Sequence, residues 1–320
     1  MSEKKPGGRL LLLIPALLIL LAIVFIVVKL VIWDRSGNVE LEEVEAGTYD
    51  YESLDIVFSV DAEVLKEHGD DGINDIVLIG NSYAVSSPSG PTIADMIAGM
   101  PDTKLTTLCY YYGQITDTAN AYGNNDVSVW QAANLFEIVK ALCTKDYSLQ
   151  KKALDQETVI SEKLYDDLTS TDLDKIDEVI IMYDSIDYRT SAVLYNPTDK
   201  YDTSTYEGAL RASITRLQSD YPHLKIIVAS PYLHGIIDDN GADFTLATMK
   251  NYGNGNLSEY VMREYNIAME CCVSYVDNFF GLITEDNVLD NCDISTVYGL
   301  NENGVKLIGS HMTDFISRKY

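Results

Sequence analysis

Ser82 is set where a nucleophile would stand. Asp75-Ile76-Val77-Leu78-Ile79 has the apolar continuity of a buried strand, and it runs directly into Gly80-Asn81-Ser82, a turn that lifts a hydroxyl to the carboxyl edge of a sheet. A serine hydroxyl attacks a carbonyl only when a base within hydrogen-bond reach takes its proton and donors stabilise the oxyanion that forms. Candidates for those parts lie far along the chain. His234 follows the apolar run 225–229 and is a candidate base, while Asp184 and Asp187 follow the run 178–182 and would serve as bases if burial raised a pKa. His311 falls some ten residues into the last helical stretch, about 15 Å along its axis from that edge, and is too distant.

A parallel sheet would bring such scattered residues to one edge. Apolar runs of strand length recur at 75–79, 104–110, 178–182, 225–229 and 273–276. Between and after them, stretches with apolar spacing near 3.6 predict helices over 91–99, 128–142, 158–168, 205–219, 258–272 and 302–316. This alternation predicts a three-layer α/β/α sandwich around a parallel five-stranded sheet, with 54–60 adding an edge or docking strand. Parallel sheets place their functional groups beyond the carboxyl ends of the strands. Each predicted strand ends there in polar or aromatic residues, among them Asn81, Tyr83, Tyr112, Asp184 and Tyr188, which are candidate ligand contacts.

In order and spacing these blocks resemble the SGNH (GDSL-type) hydrolase family, in a membrane-anchored form. The resemblance covers about 75–317. It implies that Ser82 is the nucleophile, in a turn where Asn81 replaces the family's aspartate, and that the backbone N–H groups of Ser82 and Gly113 form the oxyanion hole. It also implies an asparagine in the third block, at a place held here by Ile186. The last block opens as Leu300-Asn301-Glu302-Asn303-Gly304, but the aspartate and histidine expected just before it fall on Thr296 and Gly299. Loss of a triad member removes several orders of magnitude in rate, and loss of one oxyanion donor about 10²–10³. Asp293 would orient a base if the block were shifted, but no imidazole stands beside it in sequence.

The rest of the chain bounds where such a domain works. Leu10 to Val28 is an uncharged apolar run of 19 residues, about 28 Å as a helix and close to bilayer thickness. A cleaved signal peptide competes with a permanent anchor, but no small-x-small site follows the run, which favours the anchor. Lys4, Lys5 and Arg9 precede it and place the N-terminus in the cytoplasm. The expected organisation is a cytoplasmic tail over 1–9, a transmembrane helix over 10–32, a stalk over 36–51 and an external domain over 52–320. Of 49 acidic and 23 basic residues, Glu3 and Asp34 precede residue 36, as do Lys4, Lys5, Arg9, Lys29 and Arg35, leaving a net charge of about −29 beyond it. Such a surface repels phosphate backbones, so nucleic acid is not an expected partner. Five cysteines and four scattered histidines lack metal-ligand spacing, and no metal or cofactor is expected.

The expected function is that of a single-pass, extracellular SGNH-like protein of the bacterial cell envelope, catalytically degenerate, binding a cell-surface glycan or acylated ligand through its tyrosine-rich edge. The alternatives are an active esterase or O-acyltransferase acting on envelope polymers, with Ser82 as nucleophile and a non-standard base, and a module that holds a partner at the membrane.

Overall fold

The computed structural model describes residues 54–69, 71–118, 127–237, 244–293 and 299–318 of the 320-residue chain. The chain divides into two units, 1–50 and 51–320. The predicted tail, membrane helix and stalk lie outside the described residues, as does Thr296. Among the described residues no helix is long and apolar enough to cross a membrane.

Five strands form one parallel sheet: β1 (Asn74–Gly80), β2 (Thr103–Cys109), β3 (Glu178–Met182), β4 (Lys225–Ala229) and β5 (Ser274–Val276), in the order β2-β1-β3-β4-β5. Neighbours run in continuous register, for example Leu78 opposite Thr107 on one side and Ile180 on the other. Every residue of β3 is buried, and Ile76, Val77, Leu78 and Ile79 of β1 are wholly so. A strand covered on both faces needs an unbroken apolar run rather than alternation, which is why these two read so plainly in the sequence.

Five principal helices cover the sheet: α1 (Ile93–Ala98), α2 (Leu135–Thr144), α3 (Tyr206–Asp220), α4 (Leu257–Glu270) and α5 (Glu302–Ser317). Their starts are fixed locally. Thr92 and Asp95 close a capping box on α1, Asn256 and Glu259 close another on α4, and the Asn301 side chain accepts the N–H groups of Asn303 and Gly304 at the start of α5. The helix α1 packs on α5, while α3 packs against both α2 and α4. Right-handed crossovers put these two groups on opposite faces. The chain leaves β1 outward to β2 and then crosses back to β3, so the direction of winding reverses between β1 and β3. In doubly wound sheets the binding crevice opens at that reversal, outside the carboxyl ends of the strands.

The structure departs from the predicted helices in the long β2–β3 connection. The stretch 128–142 is broken at Asn134, whose extended backbone separates Val127–Trp130 and a short 3₁₀ turn from α2. Its side chain donates to the Thr118 carbonyl and holds the break in place. The stretch 158–168 begins only at Glu162, because Ser161 caps it, and Ser148–Asp155 is a further helix. The segment 54–60 does dock: Ile56 pairs antiparallel with Tyr275 of β5 through both backbone bonds, 2.9 and 2.8 Å. Leu54 N–H donates to Asp277, and Asp55 joins the sheet edge to α5 by accepting from Asp277 N–H (2.9 Å) and pairing with His311 (3.0 Å) and Arg318 (3.2 Å). His311 is thus committed to this clamp.

Candidate functional site

The close of β1 fixes the position of Ser82. A side chain at Gly80 would place its Cβ 2.1 Å from the Met182 carbonyl oxygen of β3, so only glycine fits where the two strands end together. Asn81 then turns the chain in an extended conformation and caps the four-residue helix Ser82–Val85. Its buried amide is fully used. The Nδ2 group donates to Gly113 O (3.2 Å) and Asp184 Oδ1 (2.9 Å), while Oδ1 accepts from the N–H groups of Tyr83 (3.3 Å) and Asp184 (3.2 Å). One side chain therefore ties together the loops after β1, β2 and β3.

Ser82 faces a cleft of ≈ 530 Å³, which it shares with Asp184, Ile186, Arg189, Tyr232 and Gly299, among others. No described residue accepts a hydrogen bond from its hydroxyl. Ile186 and Gly299 are in the cleft wall, where the family resemblance would put an oxyanion donor and a histidine; neither offers a side-chain donor or base. Gly113 N–H donates to the Tyr110 carbonyl (2.9 Å), closing a turn, so that expected oxyanion donor is already occupied. Asp184 is equally engaged. Besides Asn81, it accepts from Ile186 N–H (2.8 Å) and forms an ion pair with Arg189 (3.0 Å).

The other predicted residues lie behind the wall. His234 is 2 % exposed and does not line the cleft. Its Nδ1 faces the Gly235 carbonyl at 3.1 Å, and burial pulls its pKa down to about 4. The ring is therefore neutral with its proton on Nδ1, and Nε2 accepts the hydroxyl proton of Ser185 at 2.6 Å. Asp187, also buried, takes the backbone N–H groups of Ile115 (2.8 Å) and Thr116 (3.0 Å) and the Thr116 hydroxyl. Burial raises its pKa even against those three donors, and it braces the loop after β2 rather than facing the cleft. Tyr188 donates its phenol to the Ala247 and Lys250 carbonyls and is likewise absent from the lining.

Tyr83 and Tyr112 do line the cleft, together with Tyr111 and Tyr232. The Tyr83 and Tyr232 rings pack 5.0 Å apart in its floor. Burial holds the Tyr83 phenol well above its ordinary pKa, and its hydroxyl has no hydrogen-bond partner among the described residues. Sequence reasoning missed Arg189, although it is the basic residue of the loop that follows β3. It missed Ser185 because nothing local marks a hydroxyl whose partner is 49 residues away.

No protein-family model and no curated protein matches the chain. Among solved structures, one crystal structure superposes with a TM-score of 0.53 at 10% identity, covering 77% of this chain and 97% of its own. A protein from Lactobacillus plantarum is 14% identical, with a TM-score of 0.48 over 78% of this chain and 100% of its own. The lipase/acylhydrolase from Enterococcus faecalis is 13% identical, with a TM-score of 0.41 over 76% of this chain and 95% of its own. At these identities the likeness speaks for the fold alone, an α/β architecture with a parallel five-stranded sheet.

Proposed function

We propose that this protein is a membrane-anchored, extracytoplasmic SGNH-like domain that uses its cleft to bind a cell-surface glycan or acylated ligand without hydrolysing it. The observation that carries this is the setting of Ser82: the hydroxyl faces the cleft, no described group accepts its proton, and Ile186 and Gly299 complete the wall. Without a base the hydroxyl is a poor nucleophile, and with Gly113 N–H engaged and an isoleucine at 186 the intermediate loses two of its expected stabilising donors. The apolar run from Leu10 to Val28, flanked by Lys4, Lys5 and Arg9, supports the anchor and its orientation.

The test is chemical. The full chain in detergent is treated with a fluorophosphonate and assayed on p-nitrophenyl acetate. No covalent labelling and no Ser82-dependent turnover are expected. Turnover on the order of 1 s⁻¹, abolished by Ser82→Ala, would refute the non-hydrolytic role. For the topology, protease added to intact cells is expected to degrade the domain, and protection of 52–320 would reject an external location.

A further inference from the structure

At the cleft stands a group of aromatic rings that the fold leaves partly exposed. Tyr111 and Tyr112 line the cleft yet remain 67% and 40% exposed, against the buried Tyr83 and Tyr232 of the floor. Their ring centroids are 4.5 Å apart, edge to face, and the half-buried Trp130 ring lies 6.4 Å from that of Tyr112. Large exposed aromatics grouped at the rim of a concave site mark a binding surface, because each leaves apolar area in water that a ligand would cover.

We infer that cleft and rings together hold a neutral oligosaccharide that extends past the cleft onto Tyr111, Tyr112 and Trp130. This rests on the binding role proposed above and narrows it to one ligand class. The lining favours sugar over acyl chain: among the described residues its aliphatic side chains are Ile186, Leu300 and Pro88, while Ser82, Ser86, Ser87, Asp293 and the Asp184–Arg189 pair supply polar groups. A fatty chain would bury the Ser82 and Ser86 hydroxyls without partners and take the Asp184–Arg189 pair out of water. Hydroxyl-bearing rings meet them with hydrogen bonds and stack their C–H faces on tyrosine, which offers a flat apolar face and a polar rim. Charge sets the remaining choice. The part of the chain beyond residue 35 carries a net charge of about −29, and Arg189, the one cation among the described lining residues, is paired with Asp184. A polyanionic glycan is therefore repelled.

The full chain, reconstituted in nanodiscs of neutral lipid, is titrated with neutral oligosaccharides of two and six units from the mannose, glucose and N-acetylglucosamine series. At least one hexasaccharide is expected to bind about tenfold or more tighter than its disaccharide, the gain one added stacking contact or two would bring. In the double variant Tyr111→Ala/Tyr112→Ala that ratio is expected to collapse toward one. Equal weakening of both lengths would assign the tyrosines a structural role and overturn the inference, as would failure of every neutral hexasaccharide to bind. A circular-dichroism melt of the variant separates misfolding from lost contact, and Tyr111→Phe/Tyr112→Phe is expected to keep most of the ratio. Ester turnover by Ser82 would refute the non-hydrolytic role without moving this ratio, so the two claims fail separately.

Discussion

Ser185 Oγ and His234 Nε2 are 2.6 Å apart, and this buried bond ties the loop after β3 to the loop after β4 behind the wall that Asp184, Ile186 and Tyr232 present to the cleft. The pair has the atoms of a nucleophile and its base. It is placed to do neither, since both groups are buried away from the cleft and the imidazole is too weakly basic near neutral pH.

The first expected outcome concerns pH. Folding lowers the His234 pKa from 6.5 to about 4, so the native ring stays neutral while the unfolded chain takes up a proton below about 6.5. Its contribution to stability is complete above pH 6.5 and is lost as pH falls through 4, a linked loss of about 3 kcal/mol. Urea midpoints between pH 7 and pH 4 should fall less steeply for His234→Gln than for the parent. Identical slopes would show that the imidazole does not carry this dependence.

Replacing Asn81 by aspartate, the residue of the Gly-Asp-Ser turn that this one resembles, is expected to harm the fold. The Asn81→Asp carboxylate has no proton to give Gly113 O or Asp184 Oδ1, and it sets a second negative charge against Asp184. A loss of about 3 kcal/mol at pH 7 is expected, with a smaller loss at acid pH, as read from denaturant unfolding. A neutral or stabilising effect would mean that the three loops are not held through this amide.

Much of this site was legible in the sequence, and the reason is local. The turn Gly80-Asn81-Ser82 follows a fully buried strand, and Ile186 and Gly299 could be placed by counting from β3 and α5. What escaped was pairing across the chain. The Asp187 carboxylate serves a loop 71 or 72 residues earlier, and the Asp55–His311 pair spans 256 residues; neither leaves a periodic signal. The bond from Gly113 N–H to Tyr110 is local, but turn closure cannot be told from a free donor by residue type.

Glu264 supplies a test of the core. It is wholly buried in α4, its carboxyl oxygens have no hydrogen-bond partner among the described residues, and burial, opposed in part by the nearby Tyr206 phenol, raises its pKa well above 4.5. The folded state therefore holds the proton. Stability linked to it is complete below the unfolded pKa and is lost as pH rises. Glu264→Gln removes the titration while keeping the shape, so its thermal midpoint should gain on the parent more at pH 8 than at pH 5. A gain confined to pH 5 would reverse the assignment.

The Asp55 clamp can be opened. Asp55→Ala loses partners on His311, Arg318 and Asp277 N–H at once, and a loss of about 2 kcal/mol is expected. Hydrogen exchange should report faster exchange at the Ile56 and Tyr275 amides, whose mutual bonds the clamp supports. Unchanged protection there would show that the backbone pairing stands alone.

That pairing also bears on solubility. Ile56 occupies the outer edge of β5, where a bare strand would offer unpaired N–H and C=O groups to any passing chain. The segment entering the domain thus works as a guard against self-association, built from the protein's own leading residues. A fragment cut after Val60 would expose Ser274–Val276 and stick to copies of itself, while its cleft, formed at the carboxyl ends of the other strands, kept its shape.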